Sequence, residues 1–229
     1  MKSVAVALFA AMALSVFAQD TTKVTIAATP KVGDVVSHKV LFKFDVSGAE
    51  VKIEGTRKLK VEKIEETQIV RSFDLSTFTV KVNDSDQSIN ITAGEVTLKK
   101  DGELLKINGG IEGSDEARIF LATFFAAPAA PVAAGDKFSV EYKEGAQGTI
   151  PKRKFESVYV GKEDLKGKSV HKFTQKYTEP GVTGGMTVES TFWVTEDGTI
   201  QKIDAKFKSM FIPAVGQYVD GTVTAEIVA

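Results

Sequence analysis

Cysteine is absent from the 229 residues. Without cysteine the chain has no disulfide framework, no thiolate metal site, no cysteine nucleophile and no lipid-modified N-terminal cysteine. Its stability must therefore come from a hydrophobic core, which a chain of this length can supply. Recognisable catalytic motifs are missing as well, since the sequence contains no Gly-x-Ser-x-Gly elbow and no glycine-rich phosphate loop. We predict no catalytic residue, no metal and no cofactor.

An excess of positive charge is also lacking. The chain has 29 Lys and Arg against 30 Asp and Glu, and the basic residues form no continuous run. Nucleic-acid binding depends on concentrated positive charge. We therefore predict that nucleic acid is not a partner.

Histidine occurs only at His38 and His171, both on the apolar side of a predicted strand. A metal or catalytic role would need the two imidazoles close together with a carboxylate. Histidines on an apolar strand face are more often hydrogen-bonded core residues. We keep both as weak ligand-binding candidates and favour the structural interpretation.

The first 18 residues are typical of a secretory signal peptide. Lys2 provides a basic start, residues 4–17 are mostly apolar, and Val16 and Ala18 suit the positions before a cleavage site. The alternative is a membrane anchor, but the run is shorter than the roughly 20 residues that a spanning helix needs. We predict cleavage near Ala18, no stable transmembrane segment afterwards, and a periplasmic or extracellular protein.

Alternation of apolar and polar residues dominates the rest of the chain. This period of two is typical of strands with one buried face. Asp-Gly pairs at residues 101–102 and 197–198 indicate hairpin turns between such strands. The predicted strands cover residues 36–46, 51–55, 57–64, 69–82, 89–98, 103–107, 137–142, 153–160, 169–177, 186–194, 199–208 and 217–228.

One segment follows helical spacing instead. Ser114 can cap a helix over about residues 115–126, whose first turn holds two acids and whose apolar face includes Phe120 and Phe124. Two prolines, at positions 128 and 131, follow the segment. We predict a buried helix packed on the concave side of a sheet.

The two halves of the chain contain similar landmarks in the same order. A Gly-Asp turn precedes a strand at residues 33–34 and 135–136, Arg57 aligns with Arg153, and each half has an Asp-Gly hairpin. We predict two β repeats, 19–127 and 128–229, or one continuous domain that contains both. The fold class is then mainly β: antiparallel, curved sheets, half-barrel or β-sandwich-like, with the helix between the halves.

Arg57 and Arg153 are predicted to point inward, and an unpaired buried charge is costly. The structural interpretation, which we favour, pairs each arginine with the aspartate of its own Gly-Asp turn, Asp34 or Asp136. The functional interpretation has them bind an anionic head group at the mouth of a cavity.

The proline-rich junction at residues 128–132, the following Gly-Asp turn and the closing hairpin at residues 193–202 carry a resemblance. The chain resembles uncharacterised exported bacterial proteins with two β repeats. Its plan of a curved sheet and one helix is more distantly similar to periplasmic lipoprotein carriers of the LolA and LppX type. That resemblance implies an apolar cup for acyl chains.

Three hypotheses for function follow. The first is an exported, non-catalytic protein that binds a lipid or another hydrophobic or amphiphilic ligand. The second is a structural or interaction module of the cell envelope, whose core is filled by phenylalanine side chains. The third, which we favour least, is a hydrolase with an unassigned pair of carboxylates.

Overall fold

The computed structural model describes residues 22–145 and 150–228. The predicted signal peptide and its cleavage site lie outside these residues. The strands are β1 Val35–Val46, β2 Ala49–Ile64, β3 Gln68–Asp74, β4 Thr79–Val82, β5 Ser85–Gln87, β6 Ile91–Lys99, β7 Leu104–Ile111, β8 Lys137–Tyr142, β9 Arg153–Leu165, β10 Lys168–Thr178, β11 Thr187–Val194, β12 Ile200–Ile212 and β13 Gln217–Ile227; the helix α1 is Glu116–Ala122. No helix in the described part of the chain is both long enough and apolar enough to cross a membrane.

All 13 strands belong to one antiparallel sheet, with the order β7-β6-β3-β2-β1-β13-β12-β11-β10-β9-β8 and with β4 and β5 added beside β2. The predicted mainly β, antiparallel and curved architecture is confirmed, and the sheet is not closed into a barrel. The two halves of the chain join where β1 pairs with β13, for example Phe42 with Val223. Pairing between the first and last strands therefore makes one sheet of the two halves.

The Gly-Asp turn is built in the same way in both halves. Gly33 and Gly135 have φ of +92° and +91°, a conformation that favours glycine. The carbonyl of Asp34 accepts a hydrogen bond from the backbone N–H of Val61 on β2, and Gly33 donates one back to the carbonyl of Val61; Asp136 and Gly135 form the same pair of bonds with Tyr159 of β9. Each carboxylate accepts a hydrogen bond from the backbone N–H three residues earlier, at 2.7 and 2.8 Å. The existence of a true repeat stays a prediction, and so do the domain boundaries.

The helix is shorter than predicted and is capped by a different residue. Asp115, not Ser114, accepts the capping hydrogen bond from the backbone N–H of Arg118. The helix ends at Ala122 instead of near residue 126. The side chain of Gln175 binds the backbone N–H of Ala126 at 2.9 Å and the carbonyl of Phe124 at 2.8 Å. Because β10 satisfies these groups, the chain can leave the helix before it reaches the prolines.

Aromatic rings fill the core of the C-terminal half. Phe173 packs against Tyr159 at 4.9 Å and against Phe125 at 5.0 Å between ring centroids. Phe155 and Tyr177 form a similar contact at 5.2 Å. The rings of this cluster on β9 and β10 are almost completely buried. The core in this half is therefore densely packed.

Candidate functional site

An apolar cavity of about 200 Å³ lies on the concave side of the N-terminal half. Its walls come from β1, β2, β3, β4 and β7, from the segment before β4 that holds Phe78, from α1 and the turn before it, and from the end of β12 with the turn that follows it. Valine, isoleucine and leucine supply most of the lining, five phenylalanines add to it, and the charged residues in it are Arg57, Glu112 and Glu116. This half therefore retains an open volume where the other half is filled by rings.

The absence of a side chain at Gly55 allows close packing within the cavity wall. A Cβ atom at this position would lie 2.4 Å from the ring of Phe78 and 2.6 Å from its Cα. The missing side chain lets the segment before β4 lie directly on β2. Phe78 is consequently buried at the wall of the cavity.

The cavity opens toward the turns at one end of the sheet. Lining residues at that end are exposed, namely Val215 at 46% and Ile89 at 38%. At the other end Val40 and Phe73 are only 1% and 5% exposed. The cavity thus has a mouth between the β12–β13 turn and the segment before β6, and a closed inner end.

Arg57 lies at the inner end of this cavity, not at its mouth. It pairs across the ladder with His38 of β1, two residues beyond the pair of Val40 with Gly55. Its Nη1 donates to the hydroxyl of Thr123 at 2.9 Å, and its buried Nε has no hydrogen-bond partner. Burial lowers the pKa of Arg57 to about 10. The guanidinium remains charged at neutral pH, because that pKa is well above 7.

His38 is a buried neighbour of Arg57 that does not line the cavity. Its Nε2 is hydrogen-bonded to the carbonyl of Ile200 at 2.9 Å, which requires that this nitrogen carry the proton. Burial lowers the pKa of His38 to about 4, and the nearby charge of Arg57 acts in the same direction. The imidazole is therefore neutral at pH 7, in line with a structural role.

Arg153 is fully buried and has a different environment. It donates hydrogen bonds to the carbonyls of Leu104, Lys143 and Pro151, and its guanidinium lies 5.0 Å from the centroid of the Tyr142 ring. Three carbonyl acceptors satisfy most of its donors. Its role in these contacts is to join β8 and β9 to β7.

The predicted pairing of these arginines with the turn aspartates is wrong. Asp34 and Asp136 instead accept hydrogen bonds from the backbone of their own turns. Nor do the two arginines occupy matching places: Arg57 precedes the strand residue that binds its turn by four positions, and Arg153 by six. The arginine whose charge interacts with Asp34 is instead Arg71. Burial lowers the pKa of Arg71, and the nearby carboxylate of Asp34 opposes part of that decrease.

His171 lies in the filled half. Its Nδ1 is 2.8 Å from the hydroxyl of Tyr159, and its Nε2 is 3.7 Å from the carboxylate of Glu196. Burial lowers its pKa. His38 and His171 have different hydrogen-bond partners, and no group of three or more acidic or histidine side chains suited to a metal ion occurs within residues 22–145 and 150–228.

Two parts of the site were not predicted from the sequence. One is Thr123, which follows α1 and binds Arg57. The other is the turn between β12 and β13, where Ala214 and Val215 reach the mouth of a cavity formed by the opposite half. No local pattern marks either feature, because each depends on a contact between distant parts of the chain.

Fold and site together define an antiparallel β protein with an open apolar cavity in its N-terminal half. Among solved structures, the chain is similar to a β-barrel-like DUF1849 protein from Brucella abortus, with 10% identity, a TM-score of 0.33, and coverage of 86% of this chain and 98% of that one. It is also similar to a DUF1329 family protein from Desulfovibrio piger, with 6% identity, a TM-score of 0.23, and coverage of 86% and 85%. No protein-family model and no curated protein matches the sequence.

Proposed function

We propose that this is an exported, non-catalytic protein that binds an apolar or amphiphilic small molecule in the N-terminal cavity. The observation that supports the proposal is the contrast between the two halves of one sheet. Rings pack the core of the C-terminal half, whereas about 200 Å³ stays open and accessible in the N-terminal half. Engineered apolar cavities of about 150 Å³ take up benzene. The open volume is therefore large enough for a small apolar group.

The polar groups around the cavity are suited to ligand binding rather than to catalysis. The carboxylate of Glu116 accepts hydrogen bonds from the backbone N–H of Ile111, at 2.7 Å, and from the hydroxyl of Ser114. These contacts hold the turn that leads into α1. Burial raises the pKa of Glu116, and the two hydrogen bonds act against that rise. The carboxylate of Glu116 thus has a structural role at the wall of the cavity.

The alternative, a structural or interaction module of the cell envelope with a filled core, fits the packing of the C-terminal half. The two hypotheses differ in what they predict for the other half. A ligand-binding protein needs the open volume, and filling it should abolish binding. A scaffold would tolerate a filled cavity, and its core would become more stable as voids disappear.

A cavity-filling variant separates these hypotheses. Val51 is 8% exposed and lines the cavity, so Val51→Phe places a ring in the open volume. Val160, 45% exposed on β9, offers the matched control Val160→Phe. Binding of 1-octanol, a neutral probe, should be seen by NMR titration for the wild-type protein and for Val160→Phe, and should be lost in Val51→Phe. A wild-type protein that binds neither 1-octanol nor octanoate, its anionic counterpart, or a Val51→Phe variant that binds 1-octanol as well as the wild-type protein does, contradicts the proposal.

Native mass spectrometry of the purified protein provides a second test. A co-purifying molecule that is released from the wild-type protein and is absent from Val51→Phe would show that the cavity is occupied in the cell. N-terminal sequencing of the same sample tests export, since we expect a mature chain that begins at Gln19.

A further inference from the structure

Arg57 is a half-buried cation at the inner end of an apolar cavity. It lies six residues further along β2 than Val51, which corresponds to about 20 Å at the rise of a strand. Val51 pairs with Val82 near the mouth, whereas Arg57 lies beside the buried Val40 and Phe73. A molecule that enters between the turns therefore contacts apolar side chains first and the positive charge of Arg57 last.

The charge of Arg57 has less compensation than those of two other inward arginines. Arg118 is paired with both Asp115 and Glu179, at 2.7 and 2.9 Å. Arg153 has three carbonyl acceptors. Arg57 has one neutral hydroxyl, and within residues 22–145 and 150–228 no carboxylate forms an ion pair with it. Its Nε is buried and has no acceptor.

An unpaired charge in an apolar surrounding raises the free energy of the folded protein. A carboxylate or another anionic group that reached the guanidinium would supply the missing acceptors, and such charge-assisted hydrogen bonds are among the strongest in proteins. Hydrocarbon attached to that group would meanwhile cover the valine and isoleucine side chains of the wall. One small molecule can satisfy both requirements only if it carries an anionic head and an apolar chain.

We infer that the cavity takes a single-chain anionic amphiphile with its head inward on Arg57, and with its chain directed toward the mouth. The inference rests on the proposed binding function and adds the charge of the ligand and its direction. It reverses the expectation of a head group at the mouth. The volume of about 200 Å³ limits the bound part to one chain.

Octanoate and 1-octanol form the test pair, because they share a chain length and differ in the charge of the head. The wild-type protein should bind octanoate about tenfold or more tightly than 1-octanol at pH 7.5, since the acid alone pairs with a buried charge. This comparison needs no variant. Binding of neither probe would refute the proposed function together with the inference, whereas equal binding of both would refute the inference and leave the function standing.

Variants then assign the preference to one residue. Arg57→Met should bind octanoate no more tightly than 1-octanol, because it keeps an unbranched apolar stem at this position and removes the charge. Arg71→Met is the matched control: Arg71 is also partly buried, with an unpartnered Nε, but it does not line the cavity. It should keep the preference. A preference for octanoate that survives Arg57→Met, or that is lost in Arg71→Met, would overturn the assignment.

The direction of the chain is tested by filtered NOE spectra of the octanoate complex. Protons at C2 of octanoate should show NOEs to Val40, and its terminal methyl group should show them to Ile53, since octanoate is too short to reach from Arg57 to Val51. The opposite pattern, with the methyl group near Val40, would overturn the head-inward orientation even if octanoate binds well.

Discussion

Glu179 joins the helix of one half to the strands of the other. Its side chain is fully buried and accepts four hydrogen bonds: from Nε and Nη2 of Arg118 at 2.9 and 3.0 Å, from the hydroxyl of Tyr177 at 2.9 Å, and from the backbone N–H of Met186 at 3.1 Å. The hydrogen bonds to Glu179 raise the pKa of Arg118. Because α1 forms one wall of the cavity, this contact positions part of the candidate site.

We predict that Glu179→Gln destabilises the protein by about 3 kcal/mol. Breaking a buried ion pair by removing one partner costs about 3–5 kcal/mol. The lower end applies because Arg118 is 19% exposed and keeps Asp115 at 2.7 Å. The amide nitrogen of the glutamine also faces donors, so at least one of the four hydrogen bonds is lost. For a chain of this size the Tm should fall by about 6–12 °C.

Urea unfolding followed by circular dichroism measures this free energy. Asp115→Asn is the control, because asparagine also caps helices well and the Arg118–Asp115 pair is partly exposed. It should change the free energy of unfolding by about 1 kcal/mol or less. The reasoning is refuted if Glu179→Gln costs no more than Asp115→Asn. Looser attachment of α1 should also weaken octanol binding in Glu179→Gln.

Three further predictions concern packing, titration and a buried amide. Gly94→Ala should lower the free energy of unfolding in urea by about 1–3 kcal/mol or more, because its Cβ would lie 2.0 Å from the carbonyl oxygen of Asn108. NMR titration should give His38 a pKa of about 4, which Arg57→Met raises by removing a nearby cation. An unfolded histidine titrates near 6.5, so the unfolded chain binds more protons than the folded protein between about pH 4 and pH 6.5. The contribution of His38 to stability is therefore lost as the pH falls through that range. A His38 pKa near 6.5 in the folded protein would contradict this prediction. Gln175→Leu should cost about 2 kcal/mol or more by the same urea assay, because it leaves a buried N–H and a carbonyl after α1 without partners, and a neutral effect would show that they are satisfied otherwise.

Much of the fold could be predicted because strand patterns are local. The predicted segment 137–142 is β8 residue for residue, and 36–46 differs from β1 by one residue at its start. Hairpin turns were readable from Asp-Gly pairs for the same reason, since the conformational preference belongs to the residues themselves. The short strand β5 was missed, because its three exposed residues show no alternation of buried and exposed positions.

Helix ends and arginine partners were harder to predict. The apolar pattern after Ala122 continues at helical spacing, yet the chain leaves the helix where the Gln175 side chain, about fifty positions away in sequence, binds its backbone. The partners of Arg57 and Arg153 were likewise assigned wrongly, since the nearby turn aspartates are satisfied by their own backbone. Long-range partners of this kind leave no mark in the local pattern.

The amino-acid sequence by itself determined most of the strands, the turns between them, the start of the helix and the inward direction of the arginines, because each follows from the alternation or spacing of neighbouring residues. Only the tertiary structure decided that β1 and β13 join both halves into one sheet, that rings fill one half, and that a cavity with Arg57 at its inner end remains in the other. Register between distant strands and the volume left between side chains depend on the packing of the whole core. Neither can be obtained from any one segment.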